Sequence, residues 1–223
     1  MSVKRKKKLF WQRICCNENA IDLIEKNLDK IQWRELSTNS SAIHILDQNI
    51  DKINWRYLSW NSNAIHLLEQ NPDKIDWCNL SGNPGAIDLL EKNQWRISWS
   101  VLSGNPNAIH LLKKHQENID WWVLSKNPSA ISLLKKNLDK IEWKCLSSNP
   151  SAISIIEKNL DRVDWDNVSM NKKAIHLLKP RAMDGYWILS KLEYNPEIFE
   201  IDYEALQQRI EVFKEELIQK CFH

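Results

Sequence analysis

Residues 121–142 read WWVLSKNPSAISLLKKNLDKIE, and this 22-residue pattern fills most of the chain. Trp11, Trp33, Trp55, Trp77, Trp99, Trp121, Trp143 and Trp165 stand 22 residues apart without an insertion. A fixed period of roughly 20–50 residues is the signature of a stacked repeat architecture. Counting from each Trp, the third residue is Ile14, Leu36, Leu58, Leu80, Leu102, Leu124, Leu146 or Val168. The sixth is Asn in all eight units, from Asn17 to Asn171, the ninth is always Ala and the tenth always Ile. Recurrence inside one chain reports what each unit needs in order to stack.

The unit also carries local signals. Asn127-Pro128 before Ala130-Ile131 places a side-chain acceptor ahead of a proline at the first helical position. Ala130, Ile131, Leu133 and Leu134 then share one face of a helix, with Ser132 and Lys135 opposite. Asn137 is the expected stop, as a residue that tolerates a left-handed conformation. The segment from Trp to Leu is short, and Trp and Leu three apart eclipse one another in a 3₁₀ turn. The expectation is an all-α solenoid of 22-residue repeats, each an α-helix plus a short 3₁₀ helix. The ladder tryptophans are expected to be buried in the seam between the two helical layers.

Composition agrees with that class. Of 223 residues, 31 are Lys or Arg and 29 are Asp or Glu, a net charge of +2. Lys4, Arg5, Lys6, Lys7 and Lys8 supply five of the cations, leaving 26 against 29 in the rest. So balanced a body argues against a broad nucleic-acid-binding surface. No apolar run approaches the ~20 residues of a membrane span, and no apolar stretch follows the basic start as a secretory signal requires. Four glycines are too few for a phosphate-cradling loop. Five cysteines with no CxxC pair make neither a disulfide framework nor a structural zinc site. An intracellular location, cytoplasmic or nuclear, is the expectation, with the virion as a further possibility under the resemblance below.

The pattern decays after Trp165. Pro180 interrupts the last repeat helix, Gly185 replaces the ladder isoleucine, and Tyr186 competes with Trp187 for the Trp slot. Asn195-Pro196 and Ile201-Asp202-Tyr203 form a truncated echo, and Leu206, Ile210, Phe213 and Leu217 make an amphipathic stripe. A capping helix over about 203–220 is expected. The chain divides on this reading into a basic disordered tail (1–10), eight repeats (11–186) and a C-terminal cap (187–223).

Two resemblances attach to these residues. The unit NPxAIxLLExNxDKIxWxxLS resembles the short tryptophan repeats of proteins from large DNA viruses of protists, over about residues 11–206. It implies a viral protein and no particular activity. In architecture, LS followed by Asn-Pro and a short helix is similar to the leucine-rich variant repeat, whose α and 3₁₀ helices alternate in two layers. Here Ala-Ile stands where that family often has Thr-Pro, and no cysteine cluster precedes the array, so its iron–sulfur centre is not implied.

Candidate chemistry is thin. His44, His66, His110 and His176 share one column with Asp22, Asp88, Ser132 and Ser154, opposite the apolar stripe, and read as solvated surface residues. Asp29, Asp51, Asp73, Asp139 and Asp161 recur beside a Lys or Arg and read as turn residues, since a catalytic pair should be singular. Ser37, Ser59 and Ser81 recur likewise as structural residues. No enzyme, cofactor, metal or small-molecule substrate is expected. Three readings stay open for Lys4–Lys8: an import signal, a polyanion contact, or a solubilising tail.

Three tryptophans leave the ladder: Trp60, Trp95 and Trp122. Trp60 shares its column with Thr38, Gly82, Gly104, Lys126 and Met170, and Trp122 shares one with Arg34, Arg56 and Lys144. Such variety marks exposed positions, and an exposed indole suggests a partner, with packing over a neighbouring unit as the plain alternative. The expected function is a non-enzymatic protein-interaction scaffold, with Arg34, Arg56, Tyr57, Trp60, Trp122 and Lys126 lining the interface. A structural part of a virion or assembly site, and polyanion contact through the tail, are the alternatives.

Overall fold

A computed structural model describes residues 10–178; the basic tail and the expected C-terminal cap lie outside the described residues. The described residues form an all-α repeat solenoid. The chain packs as two units, Met1–Lys136 and Asn137–His223, so the division falls inside the repeat array.

In the first unit, each repeat holds two short α-helices. The tryptophan helices are Trp33–Leu36, Trp55–Leu58, Trp77–Ser81, Trp99–Ser103 and Trp121–Lys126. The isoleucine helices are Ile21–Glu25, Ile43–Asp47, Ile65–Gln70, Ile87–Lys92, Ile109–Lys114 and Ile131–Leu134. The 3₁₀ geometry sits elsewhere than expected. It precedes the isoleucine helix, as at Ser40–Ala42 and Pro128–Ala130, and follows it, as at Leu28–Lys30 and Pro72–Lys74. The tryptophan segment is α-helical because the residue before Trp is extended and its carbonyl accepts the first i+4 bond, Leu102 N–H to Ser98 O at 2.8 Å. The leading turn is 3₁₀ because the Asn carbonyl accepts from the Ala three residues on, Ala108 N–H to Asn105 O at 3.2 Å.

The isoleucine helices do not end left-handed. Asn27, Asn49, Asn71 and Asn93 have φ of −142°, −136°, −132° and −130°. Their side-chain amides instead reach back to a carbonyl four residues earlier, at 2.8–2.9 Å. The last turn is closed by a side chain, not by a strained backbone.

The core is aliphatic and polar at once. Leu36, Leu58, Leu67, Leu80, Leu90 and Leu102 are fully buried. So are Ser37, Ser59, Ser81 and Ser103, and Asn39, Asn83 and Asn105 are within 1% of it. Each of these Asn side chains bonds to the backbone of its own repeat and of the preceding one. Asn105 Oδ1 accepts from Asn107 N–H at 3.0 Å, and Nδ2 donates to Ser81 O and Asn83 O of the preceding repeat, both at 3.0 Å. Ser37, Ser59, Ser81 and Ser103 each donate to the Trp carbonyl of their own helix and accept from the backbone ahead of the next Trp. For Ser103 the partners are Trp99 O at 2.8 Å and Asp120 N–H at 3.0 Å. Repeats are therefore tied by side chain-to-backbone bonds as well as by leucine packing.

The ladder tryptophans are half-buried rather than buried. Their outer faces are roofed by a Lys or Arg from the following turn: Lys30 over Trp11 at 5.3 Å, Lys52 over Trp33 at 5.0 Å, Lys74 over Trp55 at 4.7 Å and Arg96 over Trp77 at 5.0 Å. Trp99 meets Asn118 at that position in sequence, and the His115 ring packs against it at 5.0 Å instead. The indole N–H of Trp77 is buried without an acceptor, for which the fold offers no physical account.

The second unit repeats the plan, with tryptophan helices Trp143–Ser147 and Trp165–Ser169 around the isoleucine helix Ile153–Ile156. Asn171 Nδ2 donates to Ser147 O at 3.1 Å and Asn149 O at 3.0 Å, and Arg162 covers Trp143 at 4.5 Å.

Truncating one buried amide orphans two carbonyls and an N–H. Asn105→Ala is expected to destabilise the protein by about 3 kcal/mol or more. Ser132→Ala, at an exposed column of the isoleucine helix, should change stability by less than about 0.5 kcal/mol. Urea-midpoint shifts of equal size for the two would overturn the role given to the amides.

Candidate functional site

The exposed face of the tryptophan helices is built from the first, second and fifth residues after each Trp. The first position points to solvent at Arg34, Arg56, Cys78, Ser100 and Trp122. At the second position Glu35, Tyr57, Asn79, Val101 and Val123 are half-buried. They lean on neighbouring repeats: Asn79 Nδ2 donates to Arg56 O at 2.8 Å, and the Tyr57 hydroxyl accepts from the Arg34 guanidinium, which also lies 4.6 Å from the ring centre.

All six candidate interface residues lie on this face of the first unit. Arg34 and Tyr57 form the pair just described. The Arg56 Nε stands 3.9 Å from Asp76 Oδ2, a loose exposed contact of little energetic weight. Trp60 keeps 47% of its surface exposed and rests on Gly82: a Cβ at Gly82 would fall 2.4 Å from its Cη2 and 2.7 Å from its Cζ3. Trp122 is 56% exposed, with the Lys126 ammonium 3.2 Å from its ring centre. The candidates thus form two clusters, Arg34–Arg56–Tyr57–Trp60 and Trp122–Lys126, separated by the repeats that carry Gly82 and Gly104. Lys4, Arg5, Lys6, Lys7 and Lys8 lie outside the described residues. Trp95, 77% exposed, sits in the Gln94–Arg96 turn, away from the first, second and fifth columns.

Carboxylates on this face are already engaged. Glu35 accepts from the Gln12 amide at 3.2 Å, and Asp76 accepts from Asn79 N–H at 2.9 Å. Asp120 caps the helix Trp121–Lys126 through Val123 N–H at 3.1 Å and accepts from the Ser100 hydroxyl at 2.6 Å. That hydroxyl first, and the helix N–H groups after it, hold the Asp120 carboxyl below the usual carboxylate range.

Three members of the histidine column hydrogen-bond to a Glu of the preceding repeat, contacts that a single column does not reveal. His44 Nε2 meets Glu25 Oε1 at 2.8 Å, His110 meets Glu91 at 2.7 Å, and His176 meets Glu157 at 2.9 Å. The constant separation of 19 residues is the signal that would have found them. At His66 the residue 19 earlier is the shorter Asp47, and the pair is not made. Cys15 is buried, and desolvation pushes its thiol above the ordinary value. Among the described residues no group of three or more His, Cys, Asp or Glu side chains is placed to hold a metal ion, and no helix is long and apolar enough to cross a membrane.

A family model described as periplasmic copper-binding protein (NosD) matches residues 2–184. No curated protein and no solved structure matches the chain. The described residues do not fit the copper of that description: the histidines of three repeats are paired with Glu, and Cys15, Cys16, Cys78 and Cys145 are distributed over repeats without a shared ligand group.

The depressed pKa of Asp120 gives a pH test with a fixed sign. Its folded pKa lies below the unfolded value, so its contribution is complete above the ordinary carboxylate range and is lost as pH falls through the folded pKa. Asp120→Ala should cost about 1 kcal/mol at pH 7. The gap between wild type and variant, read from urea melts, should narrow below about pH 4; a gap that widens on acidification would reverse the assignment.

Proposed function

The chain belongs, by the match over residues 2–184, to the family described as periplasmic copper-binding protein (NosD), and we propose that it works as a non-enzymatic protein-interaction scaffold rather than as a metal carrier. The matched span takes in the repeat array, so the likeness bears on the repeat and not on a ligand set. One observation carries the reading. The residues that join repeats, Asn, Ser, Leu and Ala, recur almost unchanged, while the combination of residues at the first, second and fifth positions after Trp is different in every repeat. Repeat proteins separate fold from recognition in this way.

The partner is a protein, bound along Arg34, Arg56, Tyr57, Trp60, Trp122 and Lys126. Indoles and guanidiniums of this kind supply most of the energy at protein interfaces. The resemblance of the repeat to those of large DNA viruses of protists supports a viral protein acting inside a host cell, in the cytoplasm or nucleus. A structural role in a particle is the second reading, favoured by the regularity of the array. Abundant, stoichiometric copies in purified particles would select it. Polyanion contact through Lys4–Lys8 is the third, and salt-sensitive retention on heparin lost on deleting residues 2–8 would select that.

For the scaffold, proximity labelling in source cells followed by capture on purified protein identifies the partner. Replacing Arg56, Tyr57, Trp60 and Trp122 by Ala should reduce its capture at least about tenfold. Replacing His44, His66, His110 and His176 by Ala should leave capture unchanged. Loss with the histidine set alone would place the interface on the opposite face.

A further inference from the structure

The 3₁₀ turns that trail the isoleucine helices recur along one edge of the first unit, and the charge of that edge changes sign midway. In the repeats that begin at Trp33 and Trp55, the helix ends and turns hold Asp47, Asp51, Glu69 and Asp73 against only Lys52 and Lys74. In the repeats that begin at Trp77 and Trp99, and just after the helix Ile131–Leu134, the same stretch holds Lys92, Arg96, Lys113, Lys114, Lys135 and Lys136 against only Glu91 and Glu117. The repeat from Trp11 is balanced, Glu25 and Asp29 against Lys26 and Lys30. Contacts within the fold leave this imbalance in place. Lys52, Lys74 and Arg96 lie over Trp33, Trp55 and Trp77, while Glu91 meets His110 and Glu117 meets His115. Among the described residues, the exposed Asp47, Asp51, Glu69 and Asp73 stand in no ion pair, and neither do the exposed Lys92, Lys113, Lys135 and Lys136.

Two further features coincide with the reversal. Trp95 replaces the turn aspartate in Gln94–Arg96 and is 77% exposed. A cavity of about 220 Å³ opens between that turn and the preceding one, Pro72–Lys74. Pro72, Ile75, Trp77 and Leu89 give it apolar walls, with Asp73 and Arg96 among the charged groups at its border. Trp95 is not one of its walls, so the indole stands clear of the cavity of its own chain.

A second copy of the chain is the occupant that uses all three features. A two-fold axis through the cavity, with the copies running in opposite directions, sets the Trp33 repeat against the Trp99 repeat of the other copy and the Trp55 repeat against its Trp77 repeat. Carboxylates then meet lysines on both sides of the axis, and each Trp95 meets the Pro72–Lys74 turn that walls the opposing cavity. A uniformly acidic or basic partner would be repelled along half of this edge, and a nucleic acid would meet four unpaired carboxylates. An apolar centre with a charged rim is also the usual anatomy of a protein interface, and Trp is its commonest anchor. We propose that the first unit self-associates as an antiparallel two-fold dimer along the trailing-turn edge, with Trp95 of each copy seated in the cavity between Pro72–Lys74 and Gln94–Arg96 of the other. The edge is separate from the tryptophan-helix face, so this dimer does not depend on the scaffold reading.

Sedimentation velocity of the full chain over a micromolar concentration series tests it. A dimer should form whose dissociation constant rises with added salt, since the paired charges are exposed. Trp95→Ala should raise that constant at least about tenfold and leave the melting midpoint in place. Asp47→Lys with Asp51→Lys, and separately Lys113→Glu with Lys114→Glu, should each give monomers. An equimolar mixture of these two variants should recover the dimer, because every charged cluster then faces its opposite. A chain that stays monomeric at every concentration, a dimer indifferent to Trp95→Ala and to both reversals, or reversals that mixing does not rescue would overturn the proposal. Retention of a monomer on heparin, lost with Lys113→Glu and Lys114→Glu, would assign the basic half to a polyanion instead.

Discussion

A buried carboxamide with every valence used fixes the geometry of this protein. Asn105 caps its own leading turn with Oδ1 and grips two carbonyls of the repeat behind with Nδ2. Its own carbonyl is taken by Asn127 of the repeat ahead at 3.2 Å. The requirement is one of chemistry as well as size. Aspartate would turn two donors into acceptors against two carbonyls, and leucine would leave all of them orphaned in a dry interior. The serine four residues after Trp works in parallel, joining a helix C-terminus to the backbone that begins the next tryptophan helix. Both residues bond to backbone, so each repeat recognises the main chain of its neighbour.

Much of this was legible in the sequence, for a reason that particular residues make plain. Trp, Leu, Ser, Asn, Ala and Ile return every 22 residues because each occupies a place that stacking defines. A period is visible without any knowledge of what the places are. Their chemistry was less visible. Asn127 looked like a helix cap, which it is, but its amide's hold on Ser103 O and Asn105 O is a bond across 24 and 22 residues that no local rule describes. The isoleucine helix is α as expected, whereas the tryptophan segment is α instead of 3₁₀ because it is decided by the extended residue ahead of it, and that residue is held by a serine 17 positions earlier.

The tryptophans were misjudged in depth for a related reason. Periodicity separates inside from outside, but a large ring at the edge of a thin layer is neither. Each indole covers aliphatic core with one face and takes a turn cation on the other, so the Lys or Arg of the turn forms the outermost layer of packing. The turn aspartate drew attention as the recurring charge, while its basic neighbour holds the structural position. Among the described residues the exchange at Trp99 supports this: with Asn118 in the cation's place, His115 supplies a ring instead.

Backbone-directed stacking also explains where recognition can reside. The buried Asn and Ser set the register through carbonyls and N–H groups, and side chains on the outer face of the tryptophan helix add varied contacts between repeats, such as Asn79 Nδ2 to Arg56 O at 2.8 Å. Trp60, Gly82, Gly104 and Lys126 follow one another in a single column, and the indole at 60 fits because the next repeat has glycine there. Glycine there removes a side chain without asking for unusual backbone, since Gly82 and Gly104 keep right-handed φ near −85°. Their consequence lies in shape alone. The two successive glycines depart from the period on the face that carries the exposed Trp60 and Trp122, and the Trp60 indole lies over the first of them in the space a side chain would need.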